Sequence, residues 1–132
     1  MTKAARVLTT QRRTASSRDI SAKSTDPIFA AIANHRKLDR IWSDMAAEAD
    51  RVGNREAKQD NIDRASDAAD LAALRMARTK PRTIAGAAAL LDYATIGDIT
   101  GMFTLGECVW HQEAIENAVI ALNRLTRRNR AA

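Results

Sequence analysis

The chain is poor in the residues that most often announce a chemistry. Its 132 residues hold 1 Cys, 2 Pro and 5 Gly, and only 4% are aromatic. One thiol excludes an internal disulfide framework and a cysteine-rich zinc module. Five glycines leave no glycine-rich phosphate loop. The longest stretch free of charged and polar side chains, Ile84 to Leu91, covers eight residues, against about twenty for a membrane span. No segment alternates with period two for long enough to make a strand. The serines cluster near the N-terminus and no G-x-S-x-G is present, so nothing points to a nucleophilic triad. What is abundant is alanine, 27 residues of it, within a chain that is 45% hydrophobic and 28% charged. The length suits one domain.

The formal charge of +5 is an average over three unlike parts. Residues 1–25 carry six cations, Arg12 and Arg13 among them, against Asp19 alone. Residues 26–122 carry 11 basic and 15 acidic side chains. The last ten residues add Arg124, Arg127, Arg128 and Arg130. A mildly acidic body therefore sits between basic ends, and the overall pI says little about the body. Residues 1–25, rich in Ser, Thr, Ala and Arg, have no periodic apolar face and are expected to form a disordered basic tail. Arg12-Arg13 resembles a twin-arginine signal, but no apolar stretch follows it. Export is therefore rejected and a cytoplasmic location expected.

The remainder reads as one all-α domain over 26–128, with a short disordered end at 129–132. Asp26-Pro27 is a helix start. Ile28, Ala31/Ile32, His35, Leu38, Trp42, Met45, Ala49 and Val52 then recur in steps of three and four, which predicts a first helix over 27–52. Gly53-Asn54 ends it. A second, alanine-rich helix over about 55–79 carries the stripe Ile62, Ala65, Ala69, Ala72/Ala73, Met76. The two make a helical hairpin or one kinked helix. Lys80-Pro81 stops the second run. Thr83 caps a third helix over about 84–96, with Ile84, Ala87/Ala88, Leu91 and Thr95 on one side. GDITGMFTLGE reads as a loop, and Thr104 to Glu107 fits a capping box. A fourth helix over about 105–128 shows Cys108, His111, Ile115, Ala118, Leu122 and Leu125, with Val119 beside them. The expected fold is thus two long helices followed by two shorter ones. Phe29, Ile32, Leu38, Trp42, Val109, Trp110, Ile115 and Leu122 supply most of the large apolar side chains, so the first and last helices are expected to pack together or against a second copy.

Candidate sites are few. Cys108 and His111 share a helix face, but with His35 as the one other histidine they fall short of a metal ligand set. His35 lies on an apolar stripe and reads as a half-buried packing residue. His111-Gln112-Glu113 has the H-x-E of zinc deaminases without their cysteines. A helix-turn-helix would need a connection of three or four residues, not about ten. Asp60, Asp63, Asp67 and Asp70 step along the second helix as an acidic stripe, which reads as a solvated face or as a docking strip for a basic partner. Arg12, Arg13, Arg127 and Arg128 are the matching basic candidates, in cis or from a second copy. No catalytic, cofactor or metal residue is expected.

DPIFAAIANHR at 26–36, PRTIAGAAALLDY at 81–93 and the closing helix with Trp110 and IALNRL at 120–125 resemble a set of small helical alphaproteobacterial proteins, often encoded in mobile or prophage-like regions. Arg82 stands where those proteins usually have Thr, and the loop before Trp110 is shorter than theirs. The resemblance implies a helical fold and a bacterial source. It implies no catalytic residues, because that set has no established activity. The expected role is a non-enzymatic helical interaction or adaptor protein that packs against a protein partner or a second copy. The alternative is a nucleic-acid-associated accessory protein acting through its basic ends. Neither a membrane nor a small-molecule substrate is expected.

Overall fold

The computed structural model describes residues 25–99 and 109–132. The expected basic tail with Arg12 and Arg13, the Thr104 cap and Cys108 lie outside the described residues. Four helices account for the described chain: α1 Pro27–Val52, α2 Arg55–Arg78, α3 Ile84–Ile99 and α4 Val109–Ala131. Among the described residues there is no strand, so the all-α expectation holds.

α1 begins where Asp26 takes extended backbone and its Oδ1 accepts from the Ile28 N–H at 3.2 Å, with Pro27 at the first helical position. It ends at Gly53, whose φ of 76° is left-handed. There the N–H groups of Gly53 and Asn54 both donate to the Ala49 carbonyl, at 3.0 and 3.1 Å. That turn is tight enough to send α2 back along α1, so residues 27–79 form a hairpin, not one kinked helix. α3 keeps a constant offset from α1. Gly86 faces Asp26 and Ile28, and seven residues further on Tyr93 meets His35. The two helices therefore run parallel. α4 packs along α3 and crosses the C-terminal end of α2. Asn117 Nδ2 donates to the carbonyls of Ala77 and Thr79, both at 2.8 Å, and Arg78 pairs with Glu113 at 3.1 Å.

The core departs from the sequence expectation in three ways. First, α1 and α4 are not the main packing pair. α1 lies chiefly against α2, and α4 against α3 and α2. The central cluster joins Ile28, Ile32, Met76, Ala77, Leu90, Ala94, Ala114 and Ala118. Among the described residues alanine makes up ten of the 15 buried hydrophobic ones, so small side chains set the helix spacing around a few large ones, Ile28, Met76 and Leu90, at the centre. Secondly, the buried side of α3 is Ala87, Leu90 and Ala94: Ala87 lies on the expected row, but Leu90 and Ala94 are buried in place of its Leu91 and Thr95, which are half-buried. Ile84 is 41% exposed. Ile84 to Leu91 is apolar all round and periodicity cannot orient it. The close approach of Gly86 to Asp26 does. Thirdly, α4 buries His111 and Ala118 of the expected stripe together with Ala114 and Ala121, keeps Ile115, Leu122 and Leu125 half-buried, and leaves Val119 exposed. Close alanine contact with α3 selects that face.

Two lengths also differ. α3 continues through Ile99, beyond the expected end near 96, because Gly97 is tolerated inside a helix. α4 continues through Ala131, so most of the expected disordered end at 129–132 is helical. Arg128 and Arg130 in its last turn suit the negative end of the helix dipole. The 16 residues of α3 span about 24 Å, well short of the 26-residue α1. Beyond them the α1–α2 hairpin continues as a two-helix arm. From Arg36 to Val52 the one buried residue is Ala49, and from Arg55 to Ala68 it is Ile62.

Candidate functional site

Two constellations of polar side chains are built into this bundle. The first is a clasp around Asp26, which is 2% exposed. Its Oδ1 caps α1, as described. Its Oδ2 accepts from the backbone N–H of Arg82 at 3.0 Å, the N–H of Thr83 at 2.9 Å and the Thr83 hydroxyl at 2.7 Å. Thr83 Oγ1 in turn accepts from the Gly86 N–H at 2.9 Å, which caps α3. One carboxylate thus serves the starts of two helices. Four donors repay its desolvation, since a buried charge is tolerated when its lone pairs are used. A Cβ on Gly86 would overlap Asp26 Oδ2 and lie 2.8 Å from both Asp26 Cγ and Ile28 Cγ2. Glycine is required there by close approach.

The second brings both histidines of the chain to one place. His35 on α1 and His111 on α4 are each under a tenth exposed. His35 Nδ1 and Tyr93 Oη lie 2.7 Å apart. The phenol donates to a bare Nδ1, or accepts from Nδ1–H, according to the tautomer. The two rings meet edge to face, 5.7 Å between centroids. Trp110 lies 5.3 Å from the His35 ring and stacks on His111 at 3.6 Å. The Arg36 guanidinium sits 5.0 Å over the Tyr93 ring. Burial holds the His35 imidazole below its usual value, and the His111 charge pushes the same way. The carboxylates of Asp39 and Asp70 work against both. Burial and Asp39 hold the Tyr93 phenol above its usual value, while Arg36 opposes them. A neutral His35 wedged among rings from two other helices is a packing element with a titratable centre. It is too enclosed to reach a substrate as a general base, which must come within hydrogen-bond distance of the proton it takes. Among the described residues no group of three or more His, Cys, Asp or Glu side chains is placed to hold a metal ion.

The acidic stripe is where the sequence put it. Asp60, Asp63, Asp67 and Asp70 are all exposed on α2. Gln59 Nε2 donates to Asp63 Oδ1 at 2.7 Å, and Asp70 reaches the field of His35. Among the described residues the ion pairs are Arg51–Glu48, Arg55–Asp50 and Arg78–Glu113, so Arg64 does not neutralise the stripe by direct contact. On the opposite helix a shallow groove of about 340 Å³ is lined by Ala33, Arg36, Lys37, Arg40, Ile41 and Asp44. These six residues share the outer face of α1. Arg127 and Arg128 are exposed near the end of α4.

The sequence located Asp26 and Thr83 as separate caps. Their union through one carboxylate was invisible, since 57 residues separate them. Tyr93 was missed as a partner of His35, although its seven-residue spacing from Gly86 matches that of His35 from Ile28. No described helix is long and apolar enough to cross a membrane. No protein-family model matches the chain, and neither a curated protein nor a solved structure matches it.

Proposed function

We propose that this chain is a non-enzymatic helical interaction protein and that its first partner is a second copy of itself. The observation that carries this reading is the two-helix arm. Leu38, Trp42 and Met45 are half-buried there, and Ile41 and Val52 are 42% and 55% exposed. Two helices alone leave too much apolar surface in water, and pairing two hairpins into a four-helix bundle covers it. The charges favour the same partner. α1 presents Arg36, Lys37 and Arg40 outward, α2 presents Asp60, Asp63 and Asp67, and both rows lie on the arm. In a two-fold pair the basic row of one copy meets the acidic row of the other, and the contact is made twice.

Sedimentation velocity over the micromolar range tests this. The expected result is a dimer at the upper concentrations that Ile41→Glu dissociates while helicity is kept. Reversal of Asp63 and Asp67 to Lys should also dissociate it, and adding Lys37→Asp with Arg40→Asp should restore it. A monomer at every concentration overturns the reading. So does a dimer indifferent to both the Ile41 and the charge variants.

A further inference from the structure

The pairs α1–α2 and α3–α4 lie side by side, and the seam between them is fastened differently along its length. At the end that holds residues 79–83, the clasp around Asp26 joins the starts of α1 and α3. There Asn117 also donates to the carbonyls of Ala77 and Thr79, and Arg124 to that of Pro81. The donors at this end are backbone amides, a hydroxyl, a carboxamide and a guanidinium, and none of these changes its protonation between about pH 5 and 8. Further along α1 the fastening changes in kind. His35, 7% exposed, stands where the two-helix arm leaves the four-helix base, and its Nδ1 lies 2.7 Å from Tyr93 Oη on α3.

The groups around His35 come from all four helices. α1 adds Asp39, one turn on, and Arg36, whose guanidinium lies over the Tyr93 ring. α2 adds Asp70, α3 adds Tyr93, and α4 adds His111 with Trp110 stacked on it. Asp39 and Asp70 favour a cation at His35, and His111 opposes one. Burial is the largest influence and outweighs the carboxylates, so the imidazole is neutral while the seam is closed. Protonation places an N–H on both ring nitrogens. The Tyr93 hydroxyl can then only accept from Nδ1, and its own proton must find another oxygen. A cation among the Tyr93 and Trp110 rings also forgoes the water that would solvate it. We infer that His35 and Tyr93 form a pH-operated latch, in which protonation of His35 loosens the α1–α3 seam from this point toward the arm while the clasp end stays closed. In the loosened seam water reaches the imidazole, and its pKa returns toward about 6.5. The closed seam holds it lower. The loosened form therefore takes the proton more readily, and its share grows as pH falls below about 6.5, until the closed form is protonated as well.

The test is native-state amide exchange of the full chain, read by NMR between about pH 7 and 5 and corrected for the intrinsic rate at each pH. The histidine ring signals are followed in the same samples, and His111→Gln identifies that of His35 by removing the other. The amides of residues 33–36 and 91–95 should lose protection by up to about tenfold per pH unit below about 6.5, one proton being taken up per opening. Those of residues 28–31 and 86–88 should keep theirs. The loss should follow the titration of His35. His35→Gln can still bond the phenol and should abolish the pH dependence. Tyr93→Phe keeps the ring without the hydroxyl and should speed exchange of the same upper amides already at pH 7. Loss of protection at both ends together overturns the latch in favour of plain acid unfolding. So does constant protection while His35 titrates, or an undiminished pH dependence in His35→Gln. Exchange unchanged by Tyr93→Phe overturns the phenol as the other half of the latch.

Discussion

At the scale of single residues, Asp26 concentrates more structural consequence than any larger side chain. Asp26→Ala removes two caps together and leaves the N–H groups of Arg82 and Thr83 without their acceptor. With a cap worth about 1 kcal/mol and charged hydrogen bonds about 1.5–3, the variant should lose on the order of 3 kcal/mol in urea unfolding. Gly86→Ala presses on the same carboxylate from the other side and should cost about 1–3 kcal/mol by overpacking. Combined, the two should fall short of additivity, because the second change relieves a clash the first has removed. His35 makes a different prediction. Its folded pKa lies below the unfolded value of about 6.5, so the unfolded chain binds the extra proton. Stability is then fully present above that value and is lost as pH falls through it toward the folded pKa. The melting temperature should drop between about pH 7 and 5.5, ahead of most carboxylate titration. His35→Gln should flatten that part of the profile while lowering stability throughout. A profile unchanged by the substitution would remove His35 as the cause.

At the scale of helices, stability should be uneven along the α1–α2 hairpin. The base, where Ile28, Ile32 and Met76 join Leu90, Ala94 and Ala118, is packed from four sides. The arm has Ala49 and Ile62 alone as buried residues. Amide exchange should be fast from about residue 42 to 65 and slow from 28 to 35 and 72 to 77, the slow set approaching the global unfolding energy. Equal protection along the hairpin, in a sample shown to be monomeric, would contradict this packing. The same contrast explains what the sequence could disclose. α1 and α2 alternate polar and apolar residues at helical spacing, so their faces and limits were legible to within a residue or so. α3 was legible as a helix but not in its rotation, since Ile84 to Leu91 has no polar side to point outward. In α4 the spacing marked His111 and Ala118, which are buried, and Ile115, Leu122 and Leu125, which are half-buried, while close contact added Ala114 and Ala121 beside them. Volume complementarity belongs to pairs of helices and leaves no mark on either one alone.

At the scale of the whole molecule, the arm and the clasp occupy different ends. The arm carries Ile41, Val52 and the facing charge rows, whereas the clasp joins Asp26 to Arg82 and Thr83. Asp26 and Ile41 stand about 22 Å apart along α1 at 1.5 Å per residue. Substitutions more than about 10 Å apart and without shared partners act additively. Ile41→Glu should therefore change the sedimentation coefficient and leave the cost of Asp26→Ala unaltered at low protein concentration. Asp26→Ala should do the reverse, weakening the fold and leaving the pairing of folded copies intact. A dimer that unfolds to separate chains is also stabilised by mass action. The melting temperature should then rise with protein concentration for the parent chain more than for Ile41→Glu. Absence of that difference would mean that one copy holds the fold without help from the other.

The distance in sequence between Asp26 and Thr83 also orders events while the chain is being made. Both arms of the α1–α2 hairpin leave the ribosome before the acceptor's second oxygen can meet its donors, which arrive 56 and 57 residues later. Until then one side of the carboxylate stays in water and α1 begins on half a cap. Closing so long a loop has an entropic cost that grows only slowly with length, so the delay is set by synthesis more than by the search. A nascent chain stopped short of Arg82 should hold a frayed first turn, and release of a few further residues should fasten it.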